Sequence, residues 1–417
     1  MWWRFREGFW ERYTFSLPER GEFLQIFLFS LIFILALWRV EREERFLWFD
    51  EEGKVELLIA SVPHLADEKL RVTVEVIGGD FPELYHKKAL LTLYNTTELP
   101  SKAFSMHAKV KAEGSRVFIE GSHGDVLGLV ELEHSVRDVY LRRIEEKLED
   151  HQTKSLVLTY LMGESRDILP HDVQYAFART GLVHLLVISG FHLAMVFLVL
   201  KLLLPYPYGI LLGAFGVSLY VLFLVPHEPP VFRAWLMLLF WVMVKLMEGR
   251  PNSIGILLSS ASILLLFEPS FVRSYSFWLS FLATLYILLG LRIFPSEGNL
   301  LHRHVLLPLG VSFCAFLGVS PLLMSFTNIS MGSIIFSHMV GYLLFPFTFY
   351  GVLQLATFFN LPEFPLKVNA LILLWTVDLF SNLDLEINFK LSERFAYFLS
   401  FTMSLLLYLL GMVRLKN

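Results

Sequence analysis

Two histidines lie close together in an apolar stretch of the sequence. His184 and His192 flank the Ser189-Gly190 step, within the run GLVHLLVISGFHLAM. A polar group at membrane depth is costly unless it faces the protein interior or a water-filled path. On a continuous helix the two histidines would stand about two turns apart and project to nearly one face. Gly190 is then either the break of a discontinuous helix on a polar path, which the pattern favours, or a close-packing position between helices.

Ser189 and His192 also suggest a second chemistry, in which a histidine activates a serine nucleophile. A rhomboid-type Gly-x-Ser-Gly motif would need glycine at position 187, where this chain has Val187. An intramembrane hydrolase is therefore the weaker alternative. We predict no catalytic residue and expect that the chain is not an enzyme.

A metal site is not predicted either. His302 and His304 flank Arg303, but further nearby carboxylate or thiol ligands are missing from the sequence around them. Zinc sites usually combine three or four such ligands. Since the thirteen histidines are otherwise dispersed, we predict neither a metal nor another cofactor, and we expect that the chain does not degrade DNA.

Two arginines are candidate anion contacts. Arg233 follows Pro229-Pro230 at the start of an apolar segment. A guanidinium offers bidentate geometry to phosphate oxygens, but a snorkelling arginine at the membrane interface is the alternative. Arg179 is a weaker candidate for the outer mouth of a path, with a headgroup anchor as its alternative.

The composition requires lipid as the main solvent of the chain. Of its 417 residues 55% are hydrophobic, and the mean hydropathy is +0.56. A spanning helix needs roughly 20 apolar residues, and nine such segments follow residue 183, after a first one near the N-terminus. We therefore predict an α-helical polytopic membrane protein with about ten transmembrane helices. The excess of Lys and Arg in alternate loops places both chain ends inside.

Between the first helix and residue 136 the apolar residues recur with period two. Val72, Val74 and Val76 form one such run, and Leu91 and Leu93 form another. Short strands at this spacing predict a small β-barrel, similar in architecture to an OB fold. The charge asymmetry of the loops places this domain outside the cytoplasm.

The β region carries one small group of basic residues. Lys109, Lys111 and Arg116 fall on adjacent predicted strands and form a possible DNA contact. Acidic residues outnumber basic ones across the region, so a folded spacer that docks partners is the equal alternative.

These patterns divide the chain into four parts. Val136, Tyr140, Ile144 and Leu148 recur every four residues among charged ones, which is typical of an amphipathic helix at the membrane surface. The predicted parts are a leader with the first helix (1–45), an OB-like domain (46–135), amphipathic interfacial helices (136–182) and a transmembrane channel domain (183–417).

Four short motifs together resemble one family. Residues 181–192, GLVHLLVISGFH, resemble the signature of the ComEC family of competence proteins. The Arg233-Ala234 pair, the run FWLSFLA at 277–283 and the run beginning at Pro321 support the resemblance. Each motif alone is weak, but their combination is specific, and it covers about residues 150–360.

The chain also departs from the family pattern. The segment from Ser337 to Pro346 lacks the asparagine that usually opens the last motif. No His-x-His-x-Asp-His sequence is present, although family members often continue into a metallo-β-lactamase-like domain. The resemblance therefore implies a short form of the family.

The resemblance implies an inner-membrane channel for single-stranded DNA in natural transformation. It implies that Arg179, His184, Ser189, Gly190, His192 and Arg233 lie along the DNA path. The implied partners are single-stranded DNA, the lipid bilayer, a separate DNA receptor, nuclease and cytoplasmic translocase, and a second copy of the chain. A small-molecule permease is a further alternative, but inverted repeats with broken helices in both halves are not evident.

Overall fold

The computed structural model has an N-terminal β sheet followed by a large helical region. It describes residues 20–45, 48–59, 64–66, 69–81, 84, 88–94, 103–113, 116–129, 135–249, 252–294, 299–383, 386–387 and 389–414. The first helix, α1, covers Arg20–Arg45. The strands that follow are β1 (Trp48–Ile59), β2 (His64–Ala66), β3 (Lys69–Gly79), β4 (Lys88–Tyr94), β5 (Ala103–Glu113), β6 (Arg116–Ser122) and β7 (Val126–Leu129).

Five of the seven strands are paired in a ring. The order β1-β3-β4-β6-β5 returns to its start because β5 also pairs with β1, from Trp48 opposite Glu113 to Leu58 opposite Ala103. The β4–β6 pair is parallel, and the other pairs of the ring are antiparallel. The two short strands attach outside the ring, β2 to β3 and β7 to β5.

The period-two pattern is confirmed by the burial of the strands. Val72, Val74 and Val76 are at most 2% exposed, and Leu91 and Leu93 are fully buried. Successive residues of a strand point to opposite faces, so these side chains lie on one side of their strands and form a single apolar core.

The helical region begins at residue 136. Its first helices are α2 (Val136–Lys147), α3 (His151–Met162), α4 (His171–Arg179), α5 (Gly190–Lys201), α6 (Tyr208–Phe223) and α7 (Pro229–Leu246). They are followed by α8 (Ser253–Phe267), α9 (Tyr275–Ile293), α10 (Leu307–Leu323), α11 (Ser333–Ala356), α12 (Phe364–Ser381) and α13 (Glu393–Arg414). A π-helical turn, His302–Leu306, leads into α10, and the two-residue strands β8 (Ile329–Ser330) and β9 (Glu386–Ile387) pair with each other.

Helices are present at all ten positions predicted to cross the membrane. Within the described residues, six segments are long and apolar enough to do so: Val183–Lys201, Pro229–Leu246, Tyr275–Ile293, His302–Leu323, Ser333–Ala356 and Phe364–Ser381. Two further apolar helices, α6 and α8, have only 16 and 15 residues. The structure thus supports several crossings, and the count of ten stays a prediction.

The segment 136–182 differs from a set of surface helices. In helix α2 the one buried residue is Ile144, while Val136 of the predicted apolar face is exposed. Helix α3, in contrast, has eight of its twelve residues buried. A helix buried on all sides belongs to the interior of a bundle. Helix α3 is thus more buried than a surface helix, because its apolar and small polar residues pack against the surrounding helices, and the interfacial position of residues 136–182 stays a prediction.

Candidate functional site

The Ser189-Gly190 step is a helix boundary. Residues 183–185 form a short 3-10 turn, and α5 begins at Gly190 with Ser189 as its N-cap. The predicted break therefore exists. The two histidines, however, do not share one helical face, because the chain between them is not a continuous helix.

His184 and His192 have different environments. His184 is exposed, and its Nδ1 lies 3.0 Å from the carbonyl oxygen of Gly181. His192 is 2% exposed and lies in the first turn of α5. Gly181 adopts φ +73°, a left-handed conformation that glycine tolerates, so the chain turns sharply before the motif.

Ser189 and His192 form a reciprocal cap on α5. The backbone N–H of Ser189 donates to His192 Nδ1 at 3.0 Å, and the N–H of Phe191 donates to Ser189 Oγ at 3.3 Å. Because Nδ1 accepts, the imidazole is neutral with its proton on Nε2. This is the capping-box arrangement, with His192 in the place usually taken by Glu or Gln.

The cap geometry does not favour a serine nucleophile. Ser189 Oγ lies 3.3 Å from His192 Nδ1, but that nitrogen already accepts the Ser189 backbone N–H. His192 Nε2 is buried and makes no hydrogen bond in the described part of the chain, although the backbone of Tyr160 lies beside the ring. A third group that would orient the imidazole for proton transfer is thus missing from the described surroundings.

A tyrosine from α3 covers the His192 ring. The ring centroids of Tyr160 and His192 are 4.1 Å apart with an interplanar angle of 55°. The hydroxyl of Tyr160 lies 2.7 Å from Oγ1 of Thr348, which itself donates to the carbonyl of Leu344 at 2.6 Å. Tyr160 is therefore the donor to Thr348. Burial raises the pKa of Tyr160, which keeps the hydroxyl protonated.

Gly190 and Arg233 bring the starts of two helices together. A Cβ atom on Gly190 would lie 3.6 Å from Cβ of Ala234, an ordinary contact distance. Arg233 is half-buried beside Ala234 in α7, and its Nε is buried without a hydrogen-bond partner in the described residues. Arg233 is therefore the chain neighbour of Ala234, the residue that packs on Gly190.

Arg179 ends α4, two residues before the Gly181 turn. Its guanidinium lies 6.0 Å from the ring centroid of Tyr175 and donates to the Tyr175 hydroxyl at 3.4 Å. Arg179 is therefore held by its own helix. Its predicted role at the mouth of a path stays a prediction.

The basic residues of the β domain stand among acidic ones. Lys109 and Lys111 are both exposed on β5, and Lys109 forms an ion pair with Asp50 at 3.2 Å. In the strand register Lys109 lies opposite Glu52 and Glu120. Arg116 likewise lies opposite an acidic residue, Glu113, in the strand register. The neighbouring carboxylates offset the charge of Lys109, and a DNA contact at these three basic residues stays a prediction.

The comparison with known families bears on the whole helical region. The family model described as Competence protein matches residues 161–417. This chain belongs to the Competence protein family. The match begins in the last turn of α3 and includes the α5 cap, so the resemblance seen in the sequence is confirmed. The competence-family membership and the apolar helices together make the chain a multi-pass membrane protein.

Two similar proteins are known by sequence. An uncharacterized protein of Aquifex aeolicus is 36% identical over 379 residues, which are 90% of this chain and 85% of that protein. The uncharacterized protein YcaI of Escherichia coli is 25% identical over 181 residues, which are 40% of this chain and 24% of that protein. No solved structure matches the chain significantly.

Two residues of the competence-family site were missed by sequence reasoning. Tyr160 of α3 packs on the His192 ring, 32 residues away along the chain, and Thr348 of α11 accepts the hydrogen bond of Tyr160, 188 residues away. The signal for Tyr160 was weak, since a lone tyrosine in a segment taken as interfacial is common at membrane surfaces. Contacts over such separations leave no local pattern.

Proposed function

We propose that this competence-family protein is a channel that passes single-stranded DNA across the cytoplasmic membrane during DNA uptake. The observation that carries the proposal is the helix break at Ser189, inside the region matched by the family, with the buried polar groups of His192 and Tyr160 beside it. Irregular backbone at membrane depth is tolerated where it lines a cavity or lies within protein. No covalent chemistry is required.

The guanidinium of Arg233 supports the proposal because its Nε has no hydrogen-bond partner among the described residues. In the described part of the chain no carboxylate pairs with its guanidinium, and its Nε is buried. A passing phosphate would supply the acceptor, in the bidentate geometry that arginine favours. The start of α5, one packing distance away at Gly190, adds the positive end of a helix dipole. Arg179 and His184 would lie nearer the mouth.

The β domain is proposed to be an OB-type barrel outside the cytoplasm. The ring of strand pairings, closed through β1 and β5, is the feature expected of a small Greek-key barrel. Its location rests on the Lys and Arg bias of the loops. Lys109, Lys111 and Arg116 are its candidate DNA contacts.

Other proteins must supply the remaining steps of DNA uptake. A channel without a motor needs a cytoplasmic translocase, and a double strand needs a nuclease and a receptor before one strand can enter. We propose that these are separate chains, and that the channel assembles from more than one copy. Co-purification of the tagged protein with each partner tests this arrangement.

The function is tested by complementation. In a strain lacking this chain, the wild type and Arg233→Ala would be compared with Arg273→Ala, which alters an arginine in the short turn before α9. We expect Arg233→Ala to reduce transformation by about tenfold or more, as for the loss of a charged hydrogen bond, with the Arg273 variant near wild type. Normal uptake without the chain would reject the channel, and equal effects of both variants would make Arg233 a lipid anchor.

A further inference from the structure

Helix α3 carries polar side chains into the interior of the helical region. Its twelve residues extend about 18 Å, too short to cross a bilayer. Thr153, Ser155, Thr159 and Tyr160 on this helix are all at most 4% exposed. Buried polar groups are kept where they fix a specific arrangement or serve a site. Of these four residues, Tyr160 contacts His192 at the helix break.

Tyr160 links three helices at the break. Its ring lies on His192 at the start of α5, and its hydroxyl donates to Thr348 in the middle of α11. The hydroxyl bond fixes the ring along α11, and the ring in turn limits the positions open to the imidazole. His192 Nδ1 holds the N–H of Ser189 at 3.0 Å, so the contact continues into the backbone of the break.

We infer that Tyr160 is a positioning residue for the α5 cap, which it holds in place from α3 through His192. It acts through the imidazole and touches no transported strand. The inference rests on the proposed function only in one respect, namely that a correctly placed cap is needed for DNA passage. That Tyr160 holds the cap in place through His192 does not depend on what passes through the protein.

Two other tyrosines provide matched controls. Tyr140 donates to the carbonyl of Leu355 at 3.3 Å, and Tyr220 donates to the carbonyl of Leu161. Both pack in or against the same apolar core as Tyr160. The ring of Tyr140 packs on Phe358, with centroids 4.9 Å apart, rather than on the cap. A Tyr→Phe change at Tyr140 therefore removes the same kind of hydrogen bond without touching His192.

The first measurement follows the cap directly. Amide hydrogen exchange of peptides covering residues 182–195 would be compared in purified wild type, Tyr160→Phe, Thr348→Val and Tyr140→Phe. We expect the first two variants to accelerate exchange there by about fivefold, the effect of one hydrogen bond. The double variant Tyr160→Phe/Thr348→Val should be no faster than either single one, because both remove the same bond. Equal exchange in Tyr160→Phe and Tyr140→Phe would overturn the inference.

The second measurement separates positioning from transport. Transformation would be scored for the same variants at matched membrane abundance, together with Tyr160→Leu, which also removes the ring. We expect Tyr160→Leu to lose more uptake than Tyr160→Phe, and Tyr140→Phe to remain near wild type. If exchange responds as expected but uptake does not change, the DNA-path proposal fails and the positioning role stands. If exchange is unchanged, the positioning role fails whatever the uptake.

Discussion

At the residue scale, His192 has the burial expected of a path residue and also a role in a helix cap that the sequence did not predict. It is polar and buried, as a path residue would be, yet its Nδ1 serves the backbone of Ser189. The helix start therefore depends on the imidazole as an acceptor. Because the acceptor is what matters, a residue that preserves it should preserve the cap.

Replacement of His192 tests this dependence. His192→Gln retains an acceptor at the third position of the capping box and should keep most of the stability. His192→Leu should lower the free energy of unfolding by about 1 kcal/mol, the usual value of a cap. Thermal unfolding of the two variants in detergent measures the difference. Equal destabilisation would mean that the ring contact with Tyr160, rather than the cap, is what His192 contributes.

The contact at Gly190 makes a graded prediction. Since a Cβ there would lie 3.6 Å from Ala234, Gly190→Ala should be tolerated and leave DNA uptake near wild type. Gly190→Leu extends beyond that contact and should abolish uptake while the protein remains in the membrane. Transformation and immunoblotting of membranes measure both effects. Normal uptake in the leucine variant would remove Gly190 from the path.

Asp150 makes a pH-dependent prediction outside the membrane-spanning segments. Hydrogen bonds from the hydroxyl and N–H of Thr153 lower the pKa of Asp150, with Lys367 3.3 Å away contributing further. A carboxyl whose pKa is lowered on folding adds stability above its unfolded pKa, and this stability is lost as the pH falls through its folded pKa. Asp150→Asn should therefore lower the melting temperature at about pH 6 to 8, and the difference should diminish as the pH falls below about 4, where the unfolded carboxyl begins to protonate. A difference independent of pH would assign the effect to packing.

At the element scale, the strands and the apolar helices were predictable because each has a local period. Val72, Val74 and Val76 were assigned to one face from their spacing alone, and they share a core. Helix α3 could not be placed in this way, since its burial depends on helices more than 180 residues later in the chain, such as the one that carries Thr348. For the same reason the break at Ser189 was predicted, but the tyrosine that covers it was not.

The end of α3 depends on a glycine. Gly163 has φ +68°, and a Cβ there would come within 2.6 Å of Pro226 and 2.8 Å of Ile188. Gly163→Ala should therefore destabilise the protein by about 1–2 kcal/mol from the backbone conformation alone. Gly341 lies in α11 with open space around it, so Gly341→Ala should stabilise the protein, because alanine has a higher helix propensity than glycine. Thermal unfolding compares the two, and the same sign in both would contradict this account.

At the scale of the whole molecule, the contacts limit how the helices alternate across a membrane. The carbonyl of Leu161 accepts a hydrogen bond from the Tyr220 hydroxyl near the end of α6, and its side chain would touch a Cβ on Gly351 near the end of α11. The ends of α6 and α11 thus lie at one level. Five helices, α7 to α11, separate them, and five complete crossings would place them on opposite faces. We therefore predict that one of the five, such as the 15-residue α8, does not cross completely, which would place the C-terminus outside rather than inside.

Labelling of single cysteines tests the sidedness of both ends. In a Cys314→Ser background, which removes the native cysteine, Lys109→Cys would report on the exposed face of the β domain. We expect it to react with an impermeant thiol reagent in intact spheroplasts. Asn417→Cys should react under the same conditions if one of the five helices does not cross. Labelling of Lys109→Cys only after lysis would place the β domain in the cytoplasm.

Within the described sheet, the first half of strand β1 has a neighbouring strand on one side only. This affects how the β domain meets other chains. Strand β1 pairs with β3 only from Val55 onward, so residues 48–53 have a neighbour on the β5 side alone within the described sheet. Such an edge is a template on which another strand could form. Here it carries Asp50, Glu51 and Glu52, all exposed. Asp50 is paired with Lys109, but Glu51 and Glu52 add two further carboxylates. Their charge disfavours pairing with a second copy of the same edge, which protects the domain against strand-to-strand aggregation at the high local concentration of a membrane surface.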